Sequence, residues 1–267
     1  MNSSLPEKSQ LVSDKLPTSQ EAVPAYAAAV QTIFASLSLH QGDRIRMLHF
    51  PDSDVAAMKT VIKGSWQKGL QGERNYGGSY EYKMYGYPWR GQGSDAITSR
   101  ILMREVFASL FSQGWILHAS TDVSKKEFDK DTMIFRKQQQ PPPESEWFAI
   151  SFNMSDRLRL IGADGGLISD VRELLKHIKL WQNEDWKDKN LNAREFKLWG
   201  RPWWASGEET MKTRLLLLRL LELLEARGWS LYASVDQSTA GNDSSETDSW
   251  FCVRDKSWVE GSAVFHR

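Results

Sequence analysis

Tyr85-Gly-Tyr-Pro-Trp89 and Trp199-Gly-Arg-Pro-Trp203 are the same stretch written twice, and the repetition extends well beyond it. Each copy continues into a helix-like segment, then Gly114-Trp115 or Gly228-Trp229, then Ala119-Ser-Thr-Asp122 or Ala233-Ser-Val-Asp236. Trp89 and Trp203, Trp115 and Trp229, and Asp122 and Asp236 are each 114 residues apart. A fixed offset of this length is the mark of a duplicated unit, and it decides the architecture before any single element is assigned.

Working outward, the best-supported element is the helix between the motifs. Leu102, Met103, Val106, Phe107 and Leu110 form one stripe, and Leu216, Leu217, Leu220, Leu221 and Leu224 repeat it at the same offset. Such spacing buries one helical face. Ser206 followed by Glu209 reads as a capping box. Gly114 and Gly228 read as C-terminal residues in the left-handed conformation. Leu215, Leu218 and Leu223 fall outside the stripe, make the second helix apolar nearly all round, and suggest themselves as the contact between the halves.

Upstream, Ile33, Ala35, Leu37 and Leu39 alternate as a strand. Ile45 and Met47 alternate with arginines after the turn His40–Asp43. In the second half Phe148, Ile150 and Phe152, then Leu158 and Leu160, alternate in the same way, and Asp-Arg-(Ile/Leu)-Arg recurs at 43–46 and 156–159. A helix follows in each half, the first capped by Asp52 or Ser53 and carrying Val55, Met58, Val61 and Ile62, the second beginning after Gly165-Gly166. The segments 63–79 and 182–193, rich in Gly, Asn and charge, read as loose connections. A strand then enters each Pro-Trp motif, and two more strands close the unit around a polar loop.

The predicted fold is therefore α+β, a tandem duplication of a ββαβαββ unit, each with an antiparallel-rich sheet covered by two helices. Residues 1–24 read as a disordered tail with neither a signal peptide nor an anchor, 25–137 as the first repeat, 138–145 as a Gln/Pro-rich linker and 146–267 as the second repeat.

Composition excludes several classes. Lys+Arg and Asp+Glu balance at 34 each, which argues against recruitment of nucleic acid or an anionic membrane. Cys252 is the single cysteine, which excludes an intramolecular disulfide framework and fits a reducing compartment, cytoplasmic or nuclear. No apolar run reaches the length of a membrane span. The five histidines are scattered without metal-ligand spacing, and no cofactor, nucleotide or nucleophile motif is present. The reading is thus of no cofactor and no metal.

Four features merit weighing as sites. Ser120/Asp122 and Ser234/Asp236 lie at strand ends, where such residues commonly bond neighbouring backbone. Arg100 and Arg214 repeat at the same offset, and Asp122 and Asp236 are their natural ion-pair partners. Arg44/Arg46 and Arg157/Arg159 form short basic rows suited to cross-strand carboxylates. Of the twelve tryptophans, Trp203 and Trp204 are the candidates for an interaction surface, Trp204 being the one expected to be exposed.

The functional expectation is a non-catalytic adaptor that binds another protein through two homologous modules. The alternative is an enzyme or small-anion binder with a site between the halves, built from Arg100, Asp122, Arg214 and Asp236. Single-stranded nucleic-acid binding comes third.

Overall fold

The computed structural model describes residues 32–90, 95–121, 129–236 and 248–264. The expected tail, 1–24, lies outside the described residues, as does Asp122. The chain forms two six-stranded antiparallel sheets and four α-helices, a tandem α+β duplication.

The first repeat contains β1 (Phe34–His40), β2 (Arg44–Leu48), α1 (Asp52–Ser65), β3 (Leu70–Tyr76), β4 (Ser79–Met84), α2 (Asp95–Ser112), β5 (Trp115–Thr121) and β6 (Asp129–Lys137). The second contains β7 (Ser145–Asn153), β8 (Arg157–Ile161), α3 (Gly165–His177), β9 (Trp181–Asp188), β10 (Ala193–Leu198), α4 (Glu209–Ala226), β11 (Ser230–Val235) and β12 (Ser249–Asp255). The strand orders, β3-β4-β2-β1-β6-β5 and β11-β12-β7-β8-β10-β9, are the same order read from opposite ends.

Each repeat carries one strand more than its sequence pattern shows. The segments read as loose connections hold β3 and β9, which are edge strands paired only with β4 and β10. An edge strand hydrogen-bonds through its backbone and can leave its side chains in water, so Gln, Glu, Arg and Asn residues do not prevent it and apolar alternation does not announce it. The turn into β4 is Gly77-Gly78, at φ +55° and +79°, the left-handed pair that a two-residue hairpin needs.

Two capping expectations are overturned. Helix α1 begins at Asp52 after Pro51, so Asp52 and Ser53 lie inside its first turn and no side chain caps it. Helix α4 begins at Glu209, two residues later than a Ser206 cap requires, because Gly207 at φ +57° interrupts the chain between them. The side-chain cap that does form is Asp164, which accepts a hydrogen bond from the Leu167 amide at the start of α3. Gly114 and Gly228 sit at φ +81° and +78°, as their place after α2 and α4 implies.

Burial sets the layers. In β1 and β2, Ala35, Leu37, Leu39, Ile45 and Met47 face α1 and α2, while the alternate residues face outward. In the second sheet both faces are covered. Phe148, Ile150, Leu158 and Leu160 pack with α3 and α4, whereas Ala149, Ile161, Ala193, Ala233, Val235 and Phe251 join the core that α2 belongs to. The order is sheet, helices, sheet, helices. β8 and β12 accordingly hold runs of consecutive buried residues where β1 alternates.

Helix α2, not α4, joins the halves, which corrects the expectation placed on Leu215, Leu218 and Leu223. Phe107 lies 5.0 Å from Phe251 and 5.7 Å from Tyr232, and Phe111 lies 5.3 Å from Trp147 and 5.5 Å from Tyr232, ring centre to ring centre. The Tyr232 hydroxyl accepts a hydrogen bond from the Leu117 amide at 2.8 Å, tying β11 to β5 across the seam. Leu215 and Leu218 remain exposed, and Leu223 packs into the core of its own repeat.

The two Gly-Trp tryptophans are both buried but differently held. The Trp115 indole donates to Asp54 Oδ2 at 2.7 Å. Trp229 packs edge-on against Phe148 at 4.7 Å and under the Arg254 guanidinium, with no partner for its indole nitrogen among the described residues. Replacing either by Ala removes a large buried ring and is expected to lower unfolding stability by about 3–5 kcal/mol. Trp115→Phe additionally strips a donor from the buried Asp54 carboxylate, so it should cost about 1–3 kcal/mol more than Trp229→Phe. Urea denaturation of the four variants checks both statements; equal costs for the two Phe variants would contradict the second.

Candidate functional site

The Pro-Trp motifs are structural wedges first. Pro88–Arg90 and Pro202–Trp204 each form a single 3-10 turn. The Trp89 indole donates to the Arg44 carbonyl and the Trp203 indole to the Arg157 carbonyl, both at 2.9 Å. Each bond fixes the turn on the second strand of its repeat. Trp203 is half-buried, edge-on to Phe152 at 4.8 Å, whereas Trp204 is 60% exposed. Trp199, just before the turn, is exposed as well.

Helix α4 starts against this turn, with the Thr213 hydroxyl donating to the Pro202 carbonyl at 2.8 Å. Its inward stripe is Leu216, Leu220 and Leu224, all buried. On the opposite side stand Met211, Leu215 and Leu218, which are 58%, 50% and 57% exposed. Their counterparts in α2 are Ile97, Ile101 and Arg104, the first buried and the other two half-buried. The difference lies in what sits above the helix. The second sheet covers α2, and among the described residues nothing covers α4. Three aliphatic side chains in one row beside two exposed tryptophans exceed the scatter of single apolar residues normal for a surface. Glu209–Lys212 and Arg219–Glu222 ion pairs flank the row and help hold the helix in water.

Of the four charged residues read as a ligand site, the two arginines are placed apart. Arg100 is buried in the seam, donating from Nε to Ser249 Oγ at 3.1 Å and from a terminal nitrogen to the Ala96 carbonyl and to Ser99 Oγ, both at 3.2 Å. Arg214 is exposed and donates to the Thr210 carbonyl of its own helix at 3.1 Å. It pairs with no carboxylate among the described residues, so the expected ion pair with Asp236 is not formed. Asp236 lies half-buried at the end of β11, and Asp122 is outside the described residues. Arg100 and Arg214 lie on opposite sides of the second sheet, so no single cleft brings those two together. Ser234 donates to Asp248 Oδ2 at 2.7 Å rather than to neighbouring backbone.

The basic rows find cross-strand carboxylates. Glu81 accepts from Arg44 at 3.1 Å, Arg46 at 2.8 Å and Arg74 at 2.8 Å, while Arg46 and Arg74 also lie over the Tyr76 ring. In the second repeat Arg159 binds Glu195 at 2.5 Å. Burial disfavours the Glu81 carboxylate, but the hydrogen bonds from Arg46 and Arg74 and the charge of Arg44 outweigh it and hold its pKa below the usual range.

A folded pKa below the unfolded one makes Glu81 stabilising above the unfolded carboxylate value of about 4.3. That contribution disappears as pH falls through the lower folded value. Glu81→Gln should therefore be less stable than the parent chain at neutral pH, with the gap closing in acid; denaturation midpoints across that range test it, and a gap independent of pH would refute it.

A cavity of about 400 Å³ opens at the seam, between the edge strands β5 and β11 and the segment after β12. Leu117, Ser230, Tyr232, Val253 and Trp258 line it, and among the described residues no lysine, arginine or histidine does. The Asp255 carboxylate at its rim accepts from the Ser257 amide and hydroxyl at 2.8 and 2.7 Å. Among the described residues no cluster of His, Cys, Asp or Glu could hold a metal ion. Cys252 is fully buried in β12, and burial pushes its thiol pKa far up, away from nucleophilic use.

One domain-family model matches the chain twice, over residues 33–136 and 146–253, the spans of the two structural repeats. No curated protein and no solved structure matches the chain. The chain belongs to the family of this uncharacterised domain and carries it in two tandem copies.

Proposed function

We propose that the protein is a non-catalytic interaction protein of the cell interior, cytoplasmic or nuclear, which binds another protein on the outward face of α4. The observation that carries this reading is the contrast between two homologous helices. The face of α2 toward the second sheet is buried in protein, whereas the outward face of α4 presents Met211, Leu215 and Leu218 to solvent. Apolar rows of this kind are favoured where a partner removes them from water, at about 25 cal/mol per Å². Trp199 and Trp204 extend the surface with side chains of the type that anchor interfaces. The balanced charge of the chain favours a protein partner over nucleic acid, and the basic rows are largely spent on Glu81 and Glu195. A lone, buried thiol fits a reducing compartment. Among the described residues no helix is long and apolar enough to cross a membrane.

The seam cavity favours a second reading, a small-ligand binder. The described part of its wall is Leu117, Tyr232, Val253, Trp258 and small or hydroxyl side chains, which suits a neutral, largely apolar molecule.

A photo-crosslinking residue at Leu215, with the same group at the exposed Lys63 of α1 as control, separates these readings in the protein's own cells. Protein adducts from position 215 that are absent from position 63, and that disappear on Leu218→Asp, are the expected result. Equal or no adducts from the two positions would sink the α4 reading.

A further inference from the structure

Resting on that reading of the α4 face, we infer that its occupant is the α4 face of a second copy of this chain, antiparallel about a two-fold axis at Leu218.

Among the described residues the stack leaves two outer faces to a second copy, and the duplication sets one of them at a disadvantage. Head-to-tail stacking would lay α4 on the outer face of the first sheet, as α2 lies on the outer face of the second. The floor that receives α2 is largely apolar, with Ala149, Ile161, Ala193, Val235 and Phe251 buried around Ser151, Ser249 and the Arg159–Glu195 pair. Strand register places Ser36, Leu48, Ser79, Thr121 and Ile134 at the positions matching those five apolar residues in the first sheet. Beside them stands the Arg44–Arg46–Arg74–Glu81 cluster. Seating Leu215 and Leu218 there would set aliphatic side chains against the Ser36, Ser79 and Thr121 hydroxyls, where α2 meets alanine and valine.

The α4 face is self-complementary instead. An isologous contact repeats the same patch across a two-fold axis. With the axis at Leu218, that residue meets its own copy, Leu215 lies opposite Leu221, and Arg214 lies opposite Glu222. Positive Lys212 and Arg214 occupy the first half of the row, and Glu222 and Glu225 the second. Antiparallel pairing sets Arg214 against Glu222 on both sides of the axis, with Met211 opposite Glu225, whereas parallel pairing sets each charge against itself. Glu222 already accepts from Arg219 at 2.7 Å within the helix, so its contact with Arg214 would extend that pair into a three-member network.

Sedimentation equilibrium on the full chain through the micromolar range tests the inference. The parent chain should sediment as a dimer. Leu218→Glu and Leu218→Lys should each weaken association at least about thirtyfold, the size of a central hot-spot loss. Mixed in equal amounts, the two variants should dimerise again, because only a two-fold contact puts position 218 against itself. Arg214→Glu and Glu222→Arg should each weaken the dimer and their combination should restore it. Circular dichroism of the exposed-site variants confirms that they fold. A parent chain that stays monomeric, or a dimer indifferent to Leu218→Glu, overturns the second-copy occupant. If the position-215 crosslinker then still yields adducts with a different protein, the α4 reading survives without it; if it yields none, both fail.

Discussion

Helix α2 has almost no face left for solvent. One side packs with α1 on the first sheet, and the other receives Phe251, Tyr232 and Trp147 from the second, so Phe107 and Phe111 stand in a continuous aromatic cluster that belongs to neither repeat alone. The apolar outer face of the second sheet would be a liability without it, since Ala149, Ile161, Ala193, Val235 and Phe251 would then meet water. The two halves are thus one body because a single helix serves two sheets. Arg100 lies inside this layer, where its guanidinium donates to Ser249 and to its own helix.

The same arrangement explains the asymmetry of the molecule. Stacking sheet, helices, sheet, helices satisfies both faces of the inner layers and leaves the two outermost faces open. The first sheet meets solvent with serines, with Phe34 at its end, and with arginines that cover the buried Glu81 carboxylate. Helix α4 meets solvent with methionine and leucine. Duplication produced two equivalent helices, and position in the stack left one of them with an apolar face and no cover.

Much of this was legible in the chain. The 114-residue offset, the alternation in β1, β2, β7 and β8 and the stripe of α2 and α4 follow from side-chain periodicity, which is local and survives without knowledge of neighbours. Trp204 and the unpaired leucines of α4 stood out in the same way. What escaped were β3 and β9, whose edge positions demand nothing of their side chains, and the true starts of α1 and α4, where Pro51 and Gly207 outweighed nearby cap-forming residues.

By itself, then, the sequence determined the duplicated α+β unit, its two-helix cover and the surplus of leucine on α4, because burial period and glycine placement are written residue by residue. Only the tertiary structure decided which helix joins the halves, that Arg100 and Arg214 fall on opposite sides of a sheet, and that Leu215 and Leu218 stay exposed. Those outcomes depend on which surface lies against which. Leu218 and its counterpart Arg104 differ in exposure less through their own chemistry than through the sheet that covers one helix and is missing over the other.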